Sequence, residues 1–324
     1  MRALVTGAGG FIGRALVRQL LARGDDATAV VRQAANAGDL AAAGCRLVAL
    51  DLAAAEPAAL ADAMRGMDVV FHMAGAYRIG ITRSQRAAMY EANVGATRRV
   101  ADATAAAGVP ILVYTSTANV LGDTGSEAPD ETYQRRQPPR FLSCYDETKY
   151  RAHELIAERI AGGAPIRIAM PGMAYGPGDH SQAGEQIVRA MRGRLGITAA
   201  TDLGGNLVHV DDVAAGHLLV LDRGQPGRSY LLGGEMARIG DVLARAAALG
   251  GHRLPRLGVP SWLLRGIAPL GDVASRLSDR IPDYGELVRA GVGVTYWFSD
   301  ARARNELGYA PRDLEAGLRT LLPA

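Results

Sequence analysis

Short β-branched runs alternate with Ala-, Leu- and Arg-rich stretches of helical period through the first half of the chain. The runs predict strands at Arg2–Thr6, Ala27–Arg32, Arg46–Ala49, Val69–His72, Ile111–Thr115 and Ile166–Met170. Between them the pattern predicts helices over 12–23, 57–65, 86–107 and 146–162. In the first of these, Ile12, Leu16 and Leu20 recur every fourth residue, Val17 and Leu21 widen the stripe, and Gly24 supplies the stop. Alternation of strand and helix with connections of this length specifies a parallel sheet covered on both faces.

The rhythm changes after Met170. "PGMAYGPGDH" (171–180) is a loop by composition, and a helical stretch spans 181–193. "NLVHVDDVAAGHLLVLDRG" (206–224) restores a strand and a helix, with Asp212 placed to cap the helix, and the tail from 235 reads as helices and loops. The expected fold is therefore α/β: a doubly wound parallel sheet from residues 1–170 plus about 206–232. A smaller, mostly helical C-terminal lobe from 171–205 plus about 233–324 would hold substrate.

Composition narrows the classes. With 48 % hydrophobic and 21 % charged residues, the 324-residue chain has ample material for a core. The net charge of +3 comes from arginines scattered among alanines, not from a basic stripe, which argues against nucleic acid as a partner. Cys45 and Cys144 do not read as a disulfide framework, so a reduced, cytoplasmic protein is expected. "ALV" at 3–5 runs straight into a glycine loop, which leaves no room for a secretion leader of the usual form. No apolar stretch reaches the roughly 18 residues of a membrane span. The nearest, "VPSWLLRGIAPLGDVASRL" (259–277), is broken by Arg265, Pro269 and Asp272. It reads as a lid or cap helix, with contact to a membrane surface as the alternative.

The chemistry begins with "TGAGGFIG", which places Gly7, Gly10 and Gly13 between a predicted strand and a predicted helix. Gly7 permits the tight turn, Gly10 lets backbone approach a pyrophosphate, and Gly13 lets helix pack on strand. The unpaired N–H groups near Phe11 and Ile12 would meet the negative ligand. A Rossmann-type dinucleotide site follows. At the end of its second strand, Val31 and Arg32 stand where an NAD site carries a carboxylate. Arg32 can pair with a 2′-phosphate, so the expected cofactor is NADP(H), with NAD(H) as the alternative. Asp51 follows the third strand and serves either an adenine amino group or a helix cap.

"YDETK" sets Tyr145 and Lys149 four positions apart, on one helix face. A phenol near pKa 10 is a poor acid–base at neutral pH, and an ammonium beside it draws the value down. Thr115, Ser116 and Thr117, at the end of the fifth strand, offer a hydroxyl to hold a substrate carbonyl.

These segments, with "DL" at 51–52, "FHMAGAY" at 71–77, "NVGAT" at 93–97, "TSTANVLG" at 115–122 and "GPGD" at 176–179, make the chain resemble an extended short-chain dehydrogenase/reductase. That group belongs to the NAD(P)-dependent epimerase/dehydratase superfamily. The likeness is strongest to the branch of dihydroflavonol reductases, 3β-hydroxysteroid dehydrogenases and hopanoid-associated sugar epimerases. The resemblance implies Tyr145 as general acid–base, Lys149 on the nicotinamide ribose, and Thr117 as the catalytic hydroxyl. It places Thr115 and Ser116 along the cofactor, with Asp51 and Leu52, Ala74, Gly75, Pro171 and Met173 also around it. Asn93 would sit behind the site. It implies a homodimer through the helices at 86–107 and 146–162, although Leu155, Ile156 and Ile160 would serve the core equally well.

Reductases and epimerases of this superfamily share the same trio. Nucleotide-sugar enzymes usually add an Asn after the sixth strand and an Arg before the "H-V-x-D" strand. Here Met170 with Gly172, and Gly205 with Asn206, occupy those regions, although Arg192 and Arg194 could stand in. Tyr77, Ile79, Ile81, Met89, Tyr133, Phe141 and Leu142 suggest a partly apolar cleft. The expected activity is NADPH-dependent reduction of a ketone or aldehyde, acting on a small carbonyl or alcohol substrate. Sugar or nucleotide-sugar epimerisation or dehydration is one alternative, and a non-catalytic NADP-binding regulator is another. No metal is expected: His209, Asp211 and His217 read as structural, and Cys144 lacks a base that would make it a nucleophile.

Overall fold

The computed structural model describes residues 1–322, the side chain of Arg276 apart, so the last two residues of the expected lobe lie outside it. The first half runs β1 (Arg2–Thr6), α1 (Phe11–Ala22), β2 (Asp26–Val31), α2 (Gly38–Ala42), β3 (Arg46–Ala49), α3 (Pro57–Met64), β4 (Val69–His72), α4 (Arg83–Tyr90), α5 (Ala96–Ala106) and β5 (Leu112–Thr115). Then come α6 (Cys144–Ala161), β6 (Ile166–Pro171), β7 (Met173–Tyr175), α7 (Gln182–Met191), β8 (Gly204–His209), α8 (Val210–Arg223) and β9 (Ser229–Leu232). The tail holds β10 (Glu235–Arg238), α9 (Ile239–Leu249), α10 (Ser261–Leu277), α11 (Tyr284–Gly291), β11 (Thr295–Tyr296) and α12 (Leu314–Arg319).

Seven strands form one sheet in the order β3-β2-β1-β4-β5-β6-β9, and every pairing in it is parallel. Because such a sheet is covered on both faces, its central strands β4 and β5 are buried throughout. Side chains alternate between two cores. Val5, Phe71 and Val113 pack with Leu16 and Leu20 of α1 and Val220 of α8. Leu4, Val70 and Leu112 pack with Leu60 of α3, Val100 of α5 and Ile156 of α6. Ile156 is fully buried there, and Leu155 and Ile160 pack against the same cluster, so all three serve this core. The strand order reverses between β1 and β4, which opens a crevice at the carboxyl ends of these strands.

Three details differ from the sequence pattern. First, β8 lies at the centre of a separate four-stranded sheet, parallel to β7 and β11 and antiparallel to β10. Of the expected segment 206–232, α8 packs against the large sheet and β9 joins it. Secondly, the helix expected over 86–107 is opened by a wide turn, Glu91–Gly95, between α4 and α5; such π-turns occur at functional sites. Thirdly, Asp212 does not cap α8. The helix begins at Val210, and His209 accepts the Asp211 N–H at 3.2 Å. Asp212 instead receives Arg312 Nε and Nη2 at 2.8 and 2.9 Å.

Candidate active site

The chain leaves β1 through Gly7, whose φ of +69° few side chains tolerate. A Cβ there would lie 2.6 Å from the Ala74 nitrogen, so the turn is drawn against the segment after β4. A Cβ on Gly13 would lie 2.8 Å from the Ala8 Cα, and one on Gly10 would lie 3.1 Å from the Gly7 carbonyl. Gly9, by contrast, would meet only the Val31 side chain, at 3.8 Å. The first turn of α1 carries no acidic residue, so the orphan N–H groups at Phe11 and Ile12 keep their positive field. This bare, positive cradle fits the pyrophosphate of a dinucleotide.

Arg32 follows β2 and is exposed, one residue beyond the Val31 side chain that faces Gly9. Arg14, which the sequence pattern does not single out, donates to the Gly9 carbonyl at 3.0 Å and the Asn36 carbonyl at 2.8 Å and pairs with Asp39. It ties the glycine turn to the segment after β2. Asp51 is exposed and accepts the Ala53 N–H at 3.0 Å, closing a turn after β3. Leu52 is buried, and its carbonyl is held by Arg99 at 2.7 Å.

A buried polar chain crosses the sheet from the glycine turn toward α6. Thr6 Oγ1 is bonded to His72 Nδ1 at 2.8 Å, and His72 Nε2 to Thr97 Oγ1 at 3.0 Å. The His72 ring stacks on Tyr114 at 5.8 Å, and Lys149 Nζ reaches the Tyr114 hydroxyl at 3.5 Å. Burial, and then the Lys149 charge, push the His72 pKa down to about 3, so the ring is neutral. A second path runs through Asn93 in the wide turn. Its side chain accepts the Ala76 N–H at 2.7 Å, donates to the Ala76 carbonyl at 3.1 Å, and donates to Thr148 Oγ1 at 2.9 Å. Gly75 leaves room for it, because a Cβ there would stand 3.2 Å from Asn93 Oδ1. Ala74 and Gly75 are thus fixed between the glycine turn and α6.

Helix α6 is capped by Ser143, which accepts the Asp146 N–H at 3.0 Å. Tyr145 and Lys149 lie on its first turns. Lys149 is buried and donates to the Thr115 carbonyl at 2.9 Å, at the carboxyl end of β5. Burial lowers its pKa to about 8. Tyr145 is half-buried, and its phenol lies above its ordinary value, not below it as its spacing to Lys149 led one to expect. Burial raises the phenol above its ordinary value, Tyr77 adds to that, and a hydrogen bond with Thr117 acts the other way. The Lys149 ammonium is turned to the Thr115 carbonyl and Tyr114.

The three hydroxyls have separate duties. Thr115 Oγ1 is buried against His217 Nε2 at 2.9 Å, while His217 Nδ1 donates to the Val213 carbonyl at 2.7 Å. That second bond makes Nε2 the acceptor, so the Thr115 hydroxyl is committed to α8 and only its carbonyl serves Lys149. Ser116 Oγ is bonded to His153 Nδ1 at 2.9 Å. Thr117 caps the short turn at Ala118–Leu121 by accepting the Asn119 N–H at 3.3 Å, donates to Asn119 Oδ1 at 3.3 Å, and stands near Tyr145.

On the outer side, the Tyr77 ring stands edge-on to Tyr145 at 4.8 Å. Ile81, Met89 and Cys144 form a buried cluster against which Tyr145 packs. Tyr133 packs instead on the sheet core, and Phe141 lies between Arg135 and Tyr150. Pro171 is buried at the end of β6, and Met173 begins β7. A Cβ on Gly205 would come within 2.9 Å of the Met173 Cγ. Asn206 is spent on the Phe298 backbone, at 3.0 and 3.2 Å. Arg192 and Arg194 are exposed at the end of α7. No group of His, Cys, Asp or Glu among the described residues has the arrangement of a metal site.

Two contacts that no local pattern announces fix α6 from outside. Glu286 of α11, itself 1 % exposed, accepts the Cys144 N–H at 2.7 Å and Arg86 at 3.1 Å. Arg135 donates to both oxygens of Asp146.

Comparison with known proteins agrees with this geometry. The profile of the NAD dependent epimerase/dehydratase family matches residues 3–233. A putative dihydroflavonol 4-reductase of Synechocystis is 34 % identical, over 97 % of this chain and 91 % of its own. Sterol demethylase protein B of Methylococcus capsulatus is 31 % identical, over 98 % and 95 %. The crystal structure of gox2253 superposes with a TM-score of 0.81 at 30 % identity, covering 99 % of this chain and 96 % of that one. The chain belongs to the NAD-dependent epimerase/dehydratase family and is an NAD(P)-dependent enzyme of the extended short-chain dehydrogenase/reductase type.

Proposed function

We propose that this protein is an NADP(H)-dependent reductase of a ketone or aldehyde, with Tyr145, Lys149 and Thr117 as its catalytic residues. The observation that carries the reading is Arg32. An exposed arginine follows β2, directly after the Val31 that faces Gly9, at the position where a carboxylate would bind the ribose hydroxyl of NAD. It would pair with a 2′-phosphate and favour the dinucleotide that cells use for reduction. A reductase among the relatives supports the same direction. Gly205 and Asn206 stand where nucleotide-sugar enzymes usually carry an arginine for the diphosphate, which supports an apolar substrate.

When bound, the nicotinamide supplies the reducing equivalents. The chain's own residues do the rest. Gly7, Gly10, Gly13 and the first turn of α1 bind the pyrophosphate, with Ala74, Gly75, Asp51, Leu52, Pro171 and Met173 around the remainder. Thr117 and Tyr145 hydrogen bond the substrate oxygen. Tyr145, kept protonated by its buried setting, gives its proton to that oxygen. Ile81 and Met89 exclude water on the outer side. Lys149 turns from the Thr115 carbonyl to hold the ribose, and from there its charge favours the phenolate that the proton transfer leaves behind.

The test is a binding comparison of NADPH and NADH with Arg32→Asp. The reading expects the wild type to favour NADPH and the variant to lose that preference by tenfold or more, ~1.4 kcal/mol. An unchanged affinity ratio would remove its support.

A further inference from the structure

Helix α10 presents its large apolar residues to solvent. Trp262, Leu263, Ile267, Leu270, Val273 and Leu277 are all exposed, Trp262 by 73 % and Leu277 by 80 %. At roughly 100° per residue they share one stripe about 140° wide. No charged residue interrupts it. Gly271 faces inward instead. A Cβ on Gly271 would lie 2.8 Å from the Gly285 nitrogen of α11, and one on Gly285 would lie 2.9 Å from the Ala268 carbonyl. An ordinary surface helix is arranged the other way, with bulky apolar groups on its buried face.

The charges around the stripe are one-sided. Arg253 and Arg256 lead into the helix and Arg280 follows its end, all three exposed, while Arg265, also exposed, donates to the Val292 carbonyl at 3.4 Å. Asp272 is engaged by Arg289, which leaves Asp279 as the acidic residue exposed nearby. A second copy seated on the stripe would bring a single exposed carboxylate, Asp279, to several arginines. A surface of anionic lipid satisfies both features, with apolar side chains entering the acyl boundary and arginines meeting the headgroups.

We propose that α10, with its flanking arginines, docks this protein on an anionic lipid bilayer. The inference stands on α10 and does not depend on the catalytic reading. It has a consequence for the site, because the next helix in sequence, α11, supports the first turn of α6 through Glu286, and Leu287 packs over Gly80. Docking holds that end of the cleft close to the lipid.

The test uses the full chain with vesicles of phosphatidylcholine, with and without phosphatidylglycerol. The chain has two tryptophans, so Trp297→Phe leaves Trp262 as the reporter. Sedimentation of the wild type with the anionic vesicles is expected, weakened by salt, with a blue shift of Trp262 emission in the reporter variant. Trp262→Asp with Leu270→Asp, both at exposed positions, is expected to lower partitioning about tenfold or more while circular dichroism stays unchanged. Arg253→Gln with Arg256→Gln is expected to weaken binding to anionic vesicles selectively. Wild-type protein that stays in the supernatant with anionic vesicles would overturn the proposal. So would a dimer in solution that the Trp262→Asp, Leu270→Asp variant converts to monomer, since a second copy would then own this face.

Discussion

Arg135 and Asp146 form a two-pronged ion pair at 2.7 and 2.8 Å, with side chains 8 % and 1 % exposed, one residue beyond Tyr145. Asp146 also accepts the Leu142 N–H at 2.9 Å, so the loop from Gly122 to Ser143 is fastened to the turn that carries Tyr145. Removing one partner strands a buried charge. Arg135→Met is expected to lower the free energy of unfolding by about 3–5 kcal/mol, and adding Asp146→Leu to restore part of the loss. Urea unfolding of the two variants measures both. A single variant as stable as the wild type would mean that the pair contributes nothing.

The glycine turn makes a graded prediction. Gly13→Ala drives a methyl group into the Ala8 and Gly7 backbone, which cannot move without opening the turn. It is expected to cost about 1–3 kcal/mol in stability and to weaken dinucleotide binding. Gly9→Ala meets only a side chain at ordinary contact distance and is expected to leave stability within about 0.5 kcal/mol of wild type. Thermal unfolding and cofactor titration of the two variants give the contrast.

Acid should unfold this protein through its buried histidines. Burial lowers His72 to about 3 and His153 and His217 to about 4, and it lowers His209 as well. The unfolded chain takes these protons near the ordinary value of about 6.5 while the folded chain refuses them. Their contribution is therefore intact above pH 6.5 and is lost as pH falls through 6 toward 4. In that window each of these histidines should add up to about one proton, ~1.4 kcal/mol per pH unit, to the slope of stability against pH. Urea unfolding at several pH values measures it. His217→Gln should lower the slope by about one proton.

The strands and helices of the large sheet were legible because each carries its own period and punctuation, from the stripe of α1 to Gly24. The placing of Gly7–Gly13 between β1 and α1, and of Tyr145 and Lys149 together on α6, was legible for the same reason: the spacing is local. What could not be read depends on partners far apart in sequence. Asp212 looks like a cap until Arg312, a hundred positions on, claims it. Thr115 looks like a site hydroxyl until His217 takes it. β8 carries the pattern of a central strand, and only its pairing with β7, β10 and β11 shows which sheet it serves. Arg135 sits in a segment with no period at all.

One substitution tests the catalyst directly. Tyr145→Phe keeps the ring that packs on Ile81 and Met89 and removes only the hydroxyl. Measured side by side, NADPH affinity is expected to stay near that of the wild type while turnover of a reducible ketone or aldehyde falls by about 10²–10⁴. A Tyr145→Phe enzyme that reduces the same carbonyl at the wild-type rate would contradict the assignment of Tyr145 as the proton donor.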